Sequence, residues 1–162
     1  MTQMVSVLPV FEQVESFQRD GAVVLRGVFV PWIETLREGV ARLMADPSPL
    51  ERSYRPEGSA PFFQDLCNWQ RVPQFRDFVG QSGIGAVAAA LMRAREVRFF
   101  HDHVLVKEPG SSVVTPWHQD RPYYCARGPP TVSFRIPLDP VPASCPLECL
   151  AGSPNWGMDH SP

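Results

Sequence analysis

The chain has 162 residues, 44% of them hydrophobic, with a formal net charge of −2. That length suits one packed core rather than several domains, and the near-neutral charge offers no basis for nucleic acid or an anionic membrane as partner. Met1-Thr2-Gln3-Met4-Val5-Ser6 lacks a basic region followed by a long apolar run, and no segment reaches membrane-span length, so the chain reads as soluble and cytoplasmic.

The first predicted element is a helix over Val10–Arg19, where Phe11, Val14, Phe17 and Gln18 recur at three- and four-residue spacing before Gly21 stops it. Ala22–Val28 follows as an apolar, β-branched strand candidate. Pro31 suits the first turn of a second helix running to about Met44, with Ile33, Leu36, Val40 and Leu43 on one face. Between Asp46 and Pro61 the turn formers Pro47, Pro49, Pro56, Gly58 and Pro61 predict a surface loop, read as an ordinary connection in preference to a cover over substrate. Helices over Pro73–Val79 and Ile84–Arg95 come next. The small side chains of Ala86, Ala88, Ala89 and Ala90 permit the second of these to pack closely.

From Val97 the hydrophobic period shifts to two. Val97–Lys107 predicts a strand with Val97, Phe99, His101, His103 and Leu105 on one face and Arg98, Phe100, Asp102, Val104 and Val106 on the other. His101 and His103 sit together, so a His-x-His metal pair competes with hydrogen-bonded structural histidines, and the structural reading is the default. Thr131–Leu138 also alternates, with Val132, Phe134, Ile136 and Leu138 apolar and Thr131, Ser133 and Arg135 polar. In a barrel the polar set lines a wet lumen, where the Arg135 guanidinium can grip a carboxylate in two-point fashion. The default reading is instead a polar face that simply meets solvent in an open, incomplete sheet.

Between these two segments lies Thr115-Pro116-Trp117-His118-Gln119-Asp120-Arg121-Pro122-Tyr123-Tyr124, the part that most resembles chemistry. In extended backbone His118 and Asp120 project to one side and Gln119 to the other. One imidazole and one carboxylate so placed supply two thirds of a 2-His-1-carboxylate facial triad, which holds Fe(II) and leaves the remaining positions open. By itself an H-x-D is far more often a turn cap than a metal site. Trp117 is expected to restrict the rotamers of His118. Arg121, Tyr123 and Tyr124 are expected at the mouth of the site, with Tyr123 as a candidate substrate-pocket residue, and packing as the alternative role for the tyrosines.

Four blocks in fixed order extend the H-x-D. They are Phe99-Phe100-His101-Asp102-His103-Val104-Leu105-Val106-Lys107-Glu108-Pro109-Gly110, Thr115 to Asp120, Ile136-Pro137-Leu138-Asp139-Pro140-Val141, and Gly152-Ser153-Pro154-Asn155-Trp156-Gly157. In this order they resemble the phytanoyl-CoA dioxygenase family of non-haem iron, 2-oxoglutarate-dependent oxygenases. Phe17 to Phe29 resembles the family's opening helix end and first strand, whereas about Ala45 to Arg71 matches poorly. The resemblance implies an α+β protein whose core is a double-stranded β-helix, the cupin-like jelly roll, with N-terminal helices. It implies Fe(II) held by His118, Asp120 and a third ligand, with 2-oxoglutarate as cosubstrate in a pocket lined near Val104. The reaction implied is hydroxylation of a C–H bond in a small-molecule substrate.

In that family the third ligand is a His on a later barrel strand, followed by an Arg that pairs with the far carboxylate of 2-oxoglutarate. Both lie beyond the Gly-Ser-x-x-Trp-Gly block, after which only Met158-Asp159-His160-Ser161-Pro162 follows here. The expectation is a single domain over 1–162 that stops before the distal His and Arg, an incomplete barrel, binding Fe(II) weakly and turning over 2-oxoglutarate poorly. His160, beside Pro162 and the chain end, is expected not to complete the triad. The alternative from a different class is a non-catalytic jelly-roll fragment or binding module with an incomplete metal site. A third ligand and a carboxylate-binding Arg separate the two readings. Cys67, Cys125, Cys145 and Cys149 fit no C-x-x-C pattern and read as reduced thiols. Oligomeric state and the particular substrate are not legible in the sequence.

Overall fold

The computed structural model describes residues 8–124 and 131–157, and the chain divides into two compact units. One comprises Phe29–Ile84 and Arg98–Thr115; the other comprises Met1–Val28, Gly85–Val97 and Pro116–Pro162. Elements run α1 (Phe11–Asp20), α2 (Ile33–Ala45), β1 (Phe62–Leu66), α3 (Pro73–Gln81), α4 (Ile84–Met92) and β2 (His103–Lys107). Among the described residues the four expected helices are present, the last ending at Met92 rather than Arg95. No helix among the described residues is long and apolar enough to cross a membrane.

In the first unit Pro31 enters a short 3-10 turn over Val30–Trp32 that leads into α2. The α2 face of Leu36, Gly39 and Leu43 is buried, and Leu43 is wholly inaccessible, which contributes about 1.5–3 kcal/mol for a fully buried Leu. Gly39 lets α3 approach: a Cβ there would stand 2.5 Å from Phe75 Cε1. Phe78 receives Phe29 and Trp32 edge-on, with ring centroids 5.4 and 5.6 Å away.

The two strands of this unit form an antiparallel pair with Phe62 opposite Lys107, Asp65 opposite Val104 and Leu66 opposite His103. β1 was not expected, because Phe62-Phe63-Gln64-Asp65-Leu66 places two aromatics together and a carboxylate inward, so no period-two pattern announces it. Tyr54 bridges back to Phe62, and the Arg52 N–H donates to the Gln64 carbonyl at 2.8 Å, so part of the predicted 46–61 loop edges β1.

At the end of β1 the chain turns through Cys67 at φ 60°, and two aspartates hold the turn. Asp65, fully buried, accepts the Ser48 N–H at 2.8 Å, Ser48 Oγ–H at 2.5 Å, the Leu66 N–H at 2.8 Å and Asn68 Nδ2–H at 2.8 Å. Burial pushes its carboxyl pKa up, but the Ser48, Asn68 and Leu66 donors outweigh burial and hold it below the ordinary carboxylate value. Asp102 accepts the Asn68 and Trp69 N–H groups at 3.2 and 2.8 Å. Of the expected Val97–Lys107 strand only His103–Lys107 forms the ladder with β1, and just before it the Asp102 carbonyl accepts the Cys67 N–H at 3.0 Å.

In the second unit α1 ends at Gly21, φ 80°, whose N–H donates to the Phe17 carbonyl at 2.9 Å. The Gly152-Ser153-Pro154-Asn155 block caps that end: the Gly152 N–H donates to the Asp20 carbonyl at 2.8 Å, and Asn155 Nδ2–H to the Arg19 carbonyl at 3.4 Å. A side chain on Gly21 would collide with the Pro154 ring. Gln18 Nε2–H donates to the Leu91 carbonyl at 2.6 Å, and Glu15 pairs with Arg93, tying α1 to α4.

Two strand expectations are corrected here. Neither Ala22–Val28 nor Thr131–Leu138 is a strand among the described residues. Alternation is a local property, whereas a ladder needs a neighbour to pair with. The alternation itself persists in burial: Val132, Phe134, Ile136 and Leu138 are half-buried, while Thr131, Ser133, Arg135 and Pro137 are exposed. The described residues thus form an α+β arrangement with a two-stranded sheet.

Candidate metal centre

His118 and Asp120 lie in the second unit, and the structure brings their side chains together. Nε2 of His118 stands 3.3 Å from Oδ1 of Asp120, with side-chain exposures of 31% and 53%. The far ring nitrogen of His118, Nδ1, lies 2.8 Å from the Pro116 carbonyl oxygen. A carbonyl only accepts, so Nδ1 carries a proton and Nε2 is the ring nitrogen that faces Asp120 and can offer a lone pair to a metal. Pro116 therefore sets the tautomer, a task its missing N–H does not impair.

Asp120 is held from its other oxygen. After it, Arg121–Tyr123 makes a 3-10 turn with Pro122 near its start, and the Tyr124 N–H closes onto the Arg121 carbonyl at 3.1 Å. The turn brings Tyr124 back so that its hydroxyl donates to Asp120 Oδ2 at 3.3 Å. Ser133 Oγ–H reaches the same Oδ2 at 3.2 Å, and the two hydroxyl oxygens are 3.0 Å apart. Burial, and then the charge of Asp120, push the Tyr124 phenol above its ordinary pKa, with the Ser133 hydrogen bond pulling the other way. The phenol is protonated throughout the neutral range and serves as a donor.

The ring that packs on His118 is Tyr123, edge-on at 5.9 Å between centroids. Trp117, expected to restrict the rotamers of His118, is 60% exposed. Tyr123 is likewise 60% exposed and so stands beside the pair at the surface. Arg135 is exposed and two residues from Ser133 along the same alternating face. Val104 is half-buried on β2, in the other unit. His101 is half-buried with its ring against Phe100 at 4.7 Å, and His103 faces outward on β2 opposite Leu66. Cys67, Cys145 and Cys149 are free thiols. His160 and Cys125 lie outside the described residues.

The chemistry of the His118–Asp120 pair suits a borderline divalent metal. Imidazole nitrogen and carboxylate oxygen are ligand types that Fe(II) accepts, and neighbouring donors on a metal with bonds of ~2.0–2.2 Å stand about 3 Å apart. A separation of 3.3 Å therefore needs little adjustment. Among the described residues no group of three or more His, Cys, Asp or Glu side chains converges, so within them His118 and Asp120 stand as a pair. Ser133 was missed as a contributor to the site. Its position on a polar alternating face was legible, but its approach to Asp120, 13 residues away, was not.

Comparison with family models returns one described as phytanoyl-CoA dioxygenase, matching residues 17–161. No curated protein and no solved structure matches the chain.

Proposed function

The chain belongs to the phytanoyl-CoA dioxygenase family, whose members depend on Fe(II) and 2-oxoglutarate, and on that premise we propose that it is an oxygenase hydroxylating a C–H bond of a small molecule. The observation that carries this reading is the 3.3 Å approach of His118 Nε2 to Asp120 Oδ1. When bound, Fe(II) with 2-oxoglutarate and O₂ supplies the oxidising power. The chain's own contribution is geometric: Pro116 orients the imidazole, Tyr124 and Ser133 orient the carboxylate, and Tyr123 walls one side of His118. Arg135, on the face that also carries Ser133, is the cation we assign to a carboxylate of the cosubstrate. The family's jelly-roll architecture belongs to the same reading.

The second reading, a binding module without turnover, draws on the two-donor count among the described residues. One experiment separates them. Under anaerobic conditions the purified chain is titrated with Fe(II) and 2-oxoglutarate, then exposed to O₂ while succinate is measured. An oxygenase shows metal-dependent 2-oxoglutarate binding and succinate formation, both lost in His118→Ala. Metal binding without any succinate favours the binding module.

A further inference from the structure

We propose that Tyr124 and Ser133 are positioning residues that present Asp120 to a divalent metal through a single oxygen, an inference resting on the metal-binding reading above. The two hydroxyls and Oδ2 of Asp120 form a triangle with edges of 3.0, 3.2 and 3.3 Å. Two protons serve those three edges. The hydroxyls cannot both donate to each other, so every arrangement that uses both protons within the triangle leaves at least one donated to Oδ2. Oδ2 is thereby occupied, and Oδ1 is the oxygen left beside His118 Nε2.

The consequence is a choice of coordination mode. A free carboxylate can bind a metal through one oxygen or through both. Two-oxygen binding would consume a position that a facial-triad metal keeps for cosubstrate and O₂. Hydroxyl donors on Oδ2 oppose it, because binding through Oδ2 would break charge-assisted hydrogen bonds. The device is assembled from two places in the sequence: Tyr124 is delivered by the turn that directly follows Asp120, and Ser133 by the alternating segment beyond residue 130. Both hydroxyls reach Asp120 at Oδ2, not at the Oδ1 that faces His118, so each acts through Asp120.

The test uses the full chain and Co(II), whose visible ligand-field bands report coordination number as well as affinity. We expect wild type to bind Co(II) and His118→Ala to lose that binding. Tyr124→Phe and Ser133→Ala should each weaken Co(II) binding about 10-fold, within the range of ~10–100-fold seen for groups that orient a ligand. The double variant should shift the ligand-field bands as the freed Oδ2 joins the metal, and Ser133→Thr, which keeps the hydroxyl, should restore wild-type affinity and spectrum. A general structural role would not make the spectrum follow the presence of the hydroxyl. Wild-type affinity within twofold and an unchanged spectrum in the double variant would overturn the proposal. Absence of Co(II) binding by wild type, or binding that survives His118→Ala, would instead overturn the metal-binding reading and the inference that rests on it.

Discussion

Asp65 and Asp120 are carboxylates of the same kind put to opposite uses. Asp65, in the first unit, is fully buried and surrounded by four donors within 2.8 Å, shared between both its oxygens. Asp120, in the second, keeps 53% of its side chain exposed and spends one oxygen on two hydroxyls, leaving the other against an imidazole. A carboxylate whose two oxygens are both engaged by buried donors holds structure. A half-saturated one, oriented but not consumed, is what a metal ligand requires.

The sharpest way to break this contrast is truncation of each. Asp65→Ala strands the donors of Ser48, Leu66 and Asn68 in a buried turn; with hydrogen bonds to a charged group worth ~1.5–3 kcal/mol each, we expect a loss of about 3–5 kcal/mol by urea denaturation. Asp120→Ala, at the surface, should shift stability by less than about 0.5 kcal/mol. Comparable losses in the two variants would erase the distinction.

Metal binding should sort them the other way. Asp120→Ala removes one of two donors and is expected to weaken Co(II) affinity by more than about 100-fold, a single lost ligand exceeding the ~10–100-fold effect of an orienting partner. Asp65→Asn, measured where it is folded, should bind Co(II) as wild type does, since Asp65 lies in the unit that lacks His118 and Asp120. Equal losses in a spectroscopic titration would place Asp65 in the site after all.

Acid titration sharpens the structural half. The folded-state pKa of Asp65 is lowered, so its stabilising contribution is fully present above the ordinary carboxylate value of ~3.9 and is lost as pH falls through the lower folded value. The stability gap between wild type and Asp65→Asn should therefore be widest near neutral pH and narrow below about pH 4. A gap that stays constant down to about pH 2 would mean that the four donors do not favour the ionised form.

The smallest effect concerns the ring neighbours of His118. Trp117→Phe should leave Co(II) affinity within about twofold, whereas Tyr123→Ala, which removes the ring 5.9 Å from the imidazole, should weaken it a few-fold by loosening the ligand's rotamer. The reverse order in equilibrium titrations would restore Trp117 as the support.

Much of this molecule is legible in one dimension because its causes are local. Helices α1 to α4 announce themselves through spacing, Gly21 through the left-handed stop it supplies, and Pro31 through its fit to a first turn. The convergence of His118 and Asp120 was anticipated from their i, i+2 spacing, although Asp120 itself takes helical torsions at the start of the 3-10 turn, and family membership follows from motif order. The strands were the weak point. β1 carries no alternation, and the alternation of Thr131–Leu138 survives in burial although no ladder forms there among the described residues.

What the amino-acid order determined by itself, then, was the helices and the placing of an imidazole and a carboxylate on one side of a short segment. Both depend on torsions and spacing within a few residues. Only the tertiary structure decided which carboxylate is saturated and which keeps an oxygen to spare. The donors that settle it, Ser48 for Asp65 and Ser133 for Asp120, come from 17 and 13 residues away, and hydrogen bonds of a few ångströms depend on how the chain returns on itself rather than on any local period.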